Sequence, residues 1–254
     1  MDFSYEKLRA AYREGEIHLY DSIPSTNTEA RALCERGTDR ALLIADGQTA
    51  GRGRMGRSFH SPVGAGLYMT LLTPVECDFD PASLTLTAAV AVRAAVASMG
   101  VCARIKWVND IFVGTRKLAG ILAEGVVSKE TGTVTHAILG IGINCTAAAF
   151  PKELENITTC LQNEGVAHPD RAALAVSILE EMGKRSRLSL REILPEYRTY
   201  MLYLGQKVML NDFQSERPVT LLDITEEGGI LVQNADETTS AHRTAEVRIR
   251  DAGQ

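Results

Sequence analysis

Apolar positions change rhythm along the chain, and each rhythm predicts an element. Ala41-Leu42-Leu43-Ile44-Ala45 and Leu67-Tyr68-Met69-Thr70-Leu71-Leu72 are short continuous runs, the pattern of buried strands. Ile17-His18-Leu19-Tyr20 predicts a further strand, preceded by a short amphipathic helix that carries Phe3, Leu8, Ala11 and Tyr12. Residues 22–28 are rich in capping and turn formers and residues 29–33 have helical character, which puts Ser25 or Thr26 at a helix N-terminus. Residues 85–98 are rich in Ala and Val and end at Gly100, so a long buried helix is expected there. Segments 103–113, 121–127 and 133–144 read as three strands of a meander, with Gly114-Thr115-Arg116 as a hairpin turn.

Farther along, Leu174, Ile178 and Met182 recur every four residues, as do Ala175 and Leu179. Residues 169–186 are therefore predicted to form an amphipathic helix, followed by a second helix over 190–203. After Gly205 the texture turns to short β pieces at 207–210, 219–224, 229–233 and 245–249, separated by turns at 226–229 and 234–236. The pattern is that of an α+β chain, with the helices and core strands over residues 1–204 and a small β-barrel pattern over 205–254.

Composition narrows the function. With 254 residues, 45% hydrophobic and 23% charged, the chain has the make-up of a globular protein with one substantial core and a small second domain. No uninterrupted apolar stretch is of bilayer-spanning length, and the N-terminus lacks the regions of a signal peptide, so a cytoplasmic location is expected. Five cysteines, an odd number without a C-x-x-C pair, indicate neither a disulfide framework nor a zinc site, and the five histidines show no metal-ligand spacing. A formal net charge of -5 argues against a broad nucleic-acid-binding face.

Against that acidic balance, Gly51-Arg52-Gly53-Arg54-Met55-Gly56-Arg57 packs three arginines and three glycines into seven residues. Glycines let backbone N–H groups approach a ligand, and guanidinium groups present planar forks to phosphate or carboxylate. A loop of this kind between two core strands suits a small polyanion, although a solvated basic turn has the same composition. No Gly-Lys-Ser/Thr closes it, so it is not a P-loop.

Gln48-Thr49-Ala50 leads into the loop, and Ser25-Thr26-Asn27 lies upstream. Downstream follow Lys106-Trp107-Val108-Asn109-Asp110, then Lys117-Leu118-Ala119-Gly120-Ile121-Leu122-Ala123-Glu124, then Gly140-Ile141-Gly142-Ile143-Asn144. The set resembles the biotin protein ligases, matching in order the patterns S-T-N, Q-T-x-G-R-G-R-x-G-R, K-W-P-N-D, K-L-x-G-I-L-x-E and G-x-G-x-N. The resemblance covers residues 17–145 strongly and the remainder weakly. It implies a mixed β-sheet catalytic domain with packed helices, of the biotin/lipoate ligase type, and an SH3-like C-terminal barrel closed by a strand over 244–250. It also implies the type without an N-terminal DNA-binding domain, since fewer than twenty residues precede the first core strand.

The implied reaction joins the carboxylate of biotin to a lysine of a biotin carboxyl carrier domain, at the expense of ATP and through biotinyl-5′-adenylate. Activation brings a carboxylate to the α-phosphate of ATP, so cationic groups must face the reacting oxygens. Arg52, Arg54 and Lys117 are the candidates. By resemblance Arg54, with the backbone through Gly51, Arg52 and Gly53, holds the biotin carboxylate or adenylate phosphate, Lys117 reaches the same oxygens, and Arg57 serves the phosphates of ATP. Ser25, Thr26 and Gln48 match the needs of a buried ureido ring, where each unpaired group would cost about 1–3 kcal/mol. Asn27 belongs with them, as ligand or as the residue that fixes the turn.

Asn144 matches the residue that reads the adenine edge, and Phe59 stands where the family often has a tryptophan over the adenine. Transfer requires a neutral amine, and deprotonating a lysine of pKa 10.4 costs roughly 4.6 kcal/mol at pH 7. Asp110 is expected to accept that proton or to act as a positioning charge, with Lys106 as an electrostatic neighbour. Mg2+ is expected to arrive with ATP rather than in a protein-built cage. Val108 replaces the family's common proline, removing a rigid kink but no reacting group. Lipoate ligases and octanoyltransferases share the fold, but their R-R-x-S-G-G-G type signature is absent. A non-catalytic biotin or nucleotide sensor would keep Gln48 and Arg54 without needing Lys117 or Asp110, and both are present. The expected state is a monomer or homodimer that binds neither DNA nor membrane.

Overall fold

The structure, a computed structural model, describes residues 3–75, 79–147, 150–211, 215–243 and 248–251. Its larger sheet contains β1 (Glu16–Tyr20), β2 (Ala41–Ala45), β3 (Gly66–Pro74), β4 (Arg104–Lys106), β5 (Asp110–Val113), β6 (Arg116–Val127) and β7 (Val134–Asn144). The spatial order is β1-β2-β3-β7-β6-β5-β4. Only β1 and β2 pair in parallel, so the sheet is mixed, as expected. The helices are α1 (Tyr5–Ala11), α2 (Thr26–Glu35), α3 (Pro81–Ser98), α4 (Lys152–Glu155), α5 (Arg171–Arg185) and α6 (Leu190–Tyr200). A second, wholly antiparallel sheet of SH3-like character follows, ordered β11-β10-β9-β8-β12. Its strands are β8 (Lys207–Asn211), β9 (Glu216–Ile224), β10 (Ile230–Gln233), β11 (Thr239–His242) and β12 (Arg248–Asp251).

Strand alternation divides the core into two layers. Leu42, Ile44, Leu67 and Met69 belong to the large layer with α3, α5 and α6, while Ala41, Leu43 and Leu72 meet Ala30 and Leu33 of α2 on the opposite face. Both faces of β2 are therefore covered, which is why its whole run is apolar. α3 has a mean hydropathy of 1.3 over 18 residues, enough by length and composition to cross a membrane. Ser83, Thr85, Thr87 and Arg93 interrupt it, so it is not the uninterrupted apolar stretch whose absence is expected from the sequence. Half of the helix is buried and it packs on α5 and α6, which accounts for its apolarity as a core helix.

Several boundaries differ from the expected ones. The segment 103–113 is a hairpin of β4 and β5, turned at Trp107–Asn109 by residues that include no glycine or proline and pass through a cis Trp107–Val108 peptide. The fully buried Tyr197 hydroxyl donates to the Val108 carbonyl at 3.2 Å, and Trp107 Nε1 donates to the Gly228 carbonyl at 3.1 Å, so α6 and the second sheet both brace this turn. Burial raises the Tyr197 pKa well above that of a free phenol, which keeps the hydroxyl a donor. β6 begins at Arg116 rather than 121, extending the hairpin through Lys117. α6 stops at Tyr200, and Tyr203 takes a positive φ of 66°. α4 and β11 were not expected. Of the predicted closing strand, residues 244–247 lie outside the described residues, while β12 pairs with β8.

Candidate active site

A cleft enclosing about 180 Å³ lies between the N-terminus of α2, the loop joining β2 to β3, the β4–β5 turn and the surface of β6 and β7. Every site residue expected from the sequence lines it except Gly51 and Asn144.

Its uncharged end is organised by a chain of polar side chains. Ser25 caps α2 by position, yet its side chain makes no cap bond, leaving the hydroxyl at the cleft wall. Gln48 Oε1 accepts instead from the Thr26 N–H at 2.8 Å and from its hydroxyl at 3.1 Å, while Gln48 Nε2 donates to Ser61 Oγ at 3.0 Å. The amide of Gln48 is thus oriented from both ends. Thr70, the polar member of the apolar run in β3, is fully buried, with its hydroxyl 2.7 Å from both Thr26 Oγ1 and Asn27 Oδ1. Asn27 Nδ2 donates to Glu124 Oε2 at 3.0 Å. Its head group rests on Gly140, where an added Cβ would sit 2.2 Å from Asn27 Oδ1. Asn27 therefore ties α2 to the sheet with both ends of its amide.

The basic loop is a narrow hairpin rather than an open coil. Phe59 N–H donates to the Gly51 carbonyl at 2.8 Å and Gly53 N–H to the Arg57 carbonyl at 2.7 Å, with a single 3-10 turn over Arg54–Gly56. Arg52 donates to both carboxylate oxygens of Glu124, at 3.1 and 3.4 Å. Arg54 donates to Asn109 Oδ1 at 3.1 Å, and Arg57 is exposed at the rim.

At the ionic end, Lys117 Nζ lies 2.6 Å from Asp110 Oδ1. The same oxygen accepts from Asn109 Nδ2 at 3.1 Å, and that amide also donates to the Ile121 carbonyl at 2.9 Å. Backbone bonds to Ile157 and Thr159, both 2.8 Å, fix the main chain of Lys117 from its outer side. Gly120 and Gly142 oppose each other across β6 and β7, and Phe59 lies over them: a Cβ at 142 would be 2.6 Å from its ring. Lys117 Nζ stands 6.0 Å from the Phe59 ring centre, and Lys106 Nζ 5.0 Å from that of Phe112. Asn144 is not brought into the cleft; it is buried at the end of β7, its amide donating to the Thr159 carbonyl at 3.0 Å. Among the described residues no group of three His, Cys, Asp or Glu could hold a metal ion.

Sequence reasoning overlooked Glu124, Asn109, Thr70 and Gly140. Thr70 carried a signal, a polar residue inside a buried apolar run. Glu124 and Asn109 stood within recognised motifs, but their partners lie 72 and 55 residues away in the chain.

A polar pocket on a mixed sheet, roofed by an arginine–glycine hairpin and ending in a lysine–aspartate pair, defines a class, and comparisons agree on which. The profile described as the Biotin/lipoate A/B protein ligase family matches residues 19–144. The bifunctional ligase/repressor BirA of Bacillus spizizenii is 34% identical over 232 residues, covering 87% of this chain and 71% of that protein. The biotin--[acetyl-CoA-carboxylase] ligase of Mycobacterium tuberculosis is 34% identical over 195 residues, 72% of this chain and 70% of that one. The solved biotin protein ligase of Aquifex aeolicus, in complex with biotin and ATP, superposes with a TM-score of 0.81 at 26% identity, covering 93% of this chain and 99% of that chain. The chain belongs to the biotin/lipoate A/B protein ligase family. These relatives are biotin ligases rather than lipoate ligases.

Proposed function

We propose that the protein is a biotin protein ligase that consumes biotin and MgATP, forms biotinyl-5′-adenylate, and biotinylates one lysine of the carrier domain of a biotin-dependent carboxylase. The carrying observation is the convergence, in one cleft, of a neutral polar end with an ionic end. Asn27 contacts Glu124 while Lys117 contacts Asp110, and these two β6 residues are separated by roughly 23 Å of strand at 3.3 Å per residue. A ureido ring fits the end built from Ser25, Thr26 and Gln48, and the carboxylate and phosphate fit the end with Arg54, Lys117 and the Arg52–Gly53 backbone.

In the first step a biotin carboxylate oxygen attacks the α-phosphorus, and pyrophosphate leaves. Arg54 and Lys117 offset the charge gathered on the reacting oxygens, and Arg57 at the rim meets the departing phosphates. Phe59 supplies an aromatic surface for the adenine; Asn144, outside the cleft lining, has one N–H on the Thr159 carbonyl and would read the adenine edge with its second N–H and Oδ1. In the second step the acceptor amine attacks the acyl carbon, AMP leaves, and the nitrogen loses a proton. Asp110 is the group assigned to that proton: it lies beside Lys117 and accepts from Asn109 Nδ2 through Oδ1. Lys106, paired in register with Asp110, adds positive charge beside the leaving AMP.

The test is incubation with biotin, MgATP and a biotin carboxyl carrier domain, scored by mass of the carrier. Biotin-dependent pyrophosphate release and a single biotinyl adduct are expected. Turnover with lipoate and no response to biotin would overturn the reading.

A further inference from the structure

Glu124 sits seven positions along β6 from Lys117, on the face it shares with Gly120 and Leu122, because alternate strand residues point the same way. Its side chain is only 19% exposed, and it receives Asn27 Nδ2 at 3.0 Å and the Arg52 guanidinium at 3.1 and 3.4 Å; Arg31 stands 3.9 Å away. A carboxylate this close to a guanidinium offsets much of its charge, which reduces what remains for a third, anionic partner. Both groups are also geometrically committed: Arg52 faces the α2 end of the cleft, beside Asn27, whereas the reacting oxygens belong at the Lys117 end.

We propose that Arg52 is the anchor of the arginine–glycine hairpin rather than an anion ligand, and that Glu124 is the positioning residue that straps the hairpin across the cleft through it. This removes the Arg52 side chain from the cations expected to face the phosphate and leaves its backbone contribution intact. Because Glu124 also holds Asn27, one carboxylate sets the start of α2 and the seat of the loop together, closing the cleft around its α2 end. The proposal rests on the ligase reading for its ligand, biotinyl-adenylate, but not for its geometry.

The two roles for Arg52 predict opposite signs. If Arg52 were an anion ligand restrained by Glu124, Glu124→Gln would release it and adenylate would dissociate more slowly. As an anchor, its loss of a charged partner loosens the hairpin and adenylate escapes faster. Glu124→Gln, Arg52→Gln and the double variant are made in the full chain, and three quantities are measured: adenylate off-rate, ligand-free hydrogen exchange over residues 51–58, and melting temperature. Each single variant is expected to raise the off-rate about fivefold, equivalent to about 1 kcal/mol. Exchange across the hairpin should rise in both, and the double variant should be no worse than the worse single, since both cut the same contact. A slower off-rate in Glu124→Gln, additive losses in the double variant, or unchanged exchange would overturn the anchor. Arg52 is 44% exposed, so Arg52→Gln carries the comparison if Glu124→Gln melts early. A wild-type protein that makes no adenylate would defeat the ligase reading, while the ligand-free exchange would still decide the anchor.

Discussion

Replacing Asp110 by Asn separates the two chemical steps. The change preserves shape and can still accept from Asn109 Nδ2, so the β4–β5 turn should keep its form; it removes the charge that faces Lys117 at 2.6 Å. During transfer the attacking nitrogen becomes positive. At about 5 Å from a carboxylate and an effective dielectric of 20, that charge is stabilised by about 3 kcal/mol. Its loss corresponds to a rate about 10²-fold lower, the low end of what a positioned base contributes. The assay is single-turnover transfer from preformed biotinyl-adenylate to a carrier domain, which bypasses activation. The deficit should be near 10² at pH 7 and shrink as pH approaches about 10.4, where the acceptor lysine loses its proton unaided. Adenylate formation should change far less, because Lys117 remains. Transfer at the wild-type rate at pH 7 would show that Asp110 is only a turn residue, and an equal loss in both steps would show that it acts by holding Lys117.

Gly140→Ala should displace Asn27, whose amide cannot retreat without breaking its bonds to Thr70 and Glu124; with two buried bonds at stake the loss is about 2–3 kcal/mol, read as a fall in melting temperature together with weaker biotin binding. A melting temperature within a degree of wild type would contradict the close contact. Arg54→Ala should weaken adenylate binding by at least tenfold, whereas Arg40→Ala, outside the loop, should leave it unchanged in a calorimetric titration. Burial pushes the Cys145 thiol up to about 12, so between about pH 9 and 12 the unfolded chain binds fewer protons than the folded one and this site makes stability fall as pH rises. Thiol labelling at pH 9 should therefore reach exposed Cys102 while sparing Cys145, and rapid labelling of Cys145 in the folded protein would refute the assignment.

The strands whose apolar runs face two layers could be read directly: β2 was expected over the residues it occupies, because burial on both sides leaves no polar position to blur its ends. β11 escaped because Thr239–His242 carries one small apolar residue and lies half-exposed at a sheet edge. The β4–β5 turn escaped because Tyr197 and Gly228, distant in sequence, hold it where no local breaker would. The candidate site was largely legible, since its motifs name most of the lining. What could not be read was how the residues pair. Arg52 and Arg54 look alike in the sequence, and their different partners follow from the sheet register that places Glu124 at one end of the cleft and Asn109 at the other.

The bond from Trp107 to the second sheet ends on a main-chain oxygen, and this decides which mutations can reach it. Every amino acid offers the same carbonyl, so no exchange of side chain at position 228 deletes the acceptor. The site is instead sensitive to chain length and path. Residue 228 takes a φ of 80°, and a Cβ there would meet Leu86 Cδ1 at 2.4 Å, so larger residues are disfavoured for conformational rather than chemical reasons. A saturation library would score the position as one more structural glycine. Deleting a single residue between Thr225 and Gly229 is the informative lesion: it would draw the carbonyl away from the indole and uncouple the small sheet from the turn bearing Asn109 and Asp110. The outcome expected is a folded protein that still makes adenylate but hands it on slowly.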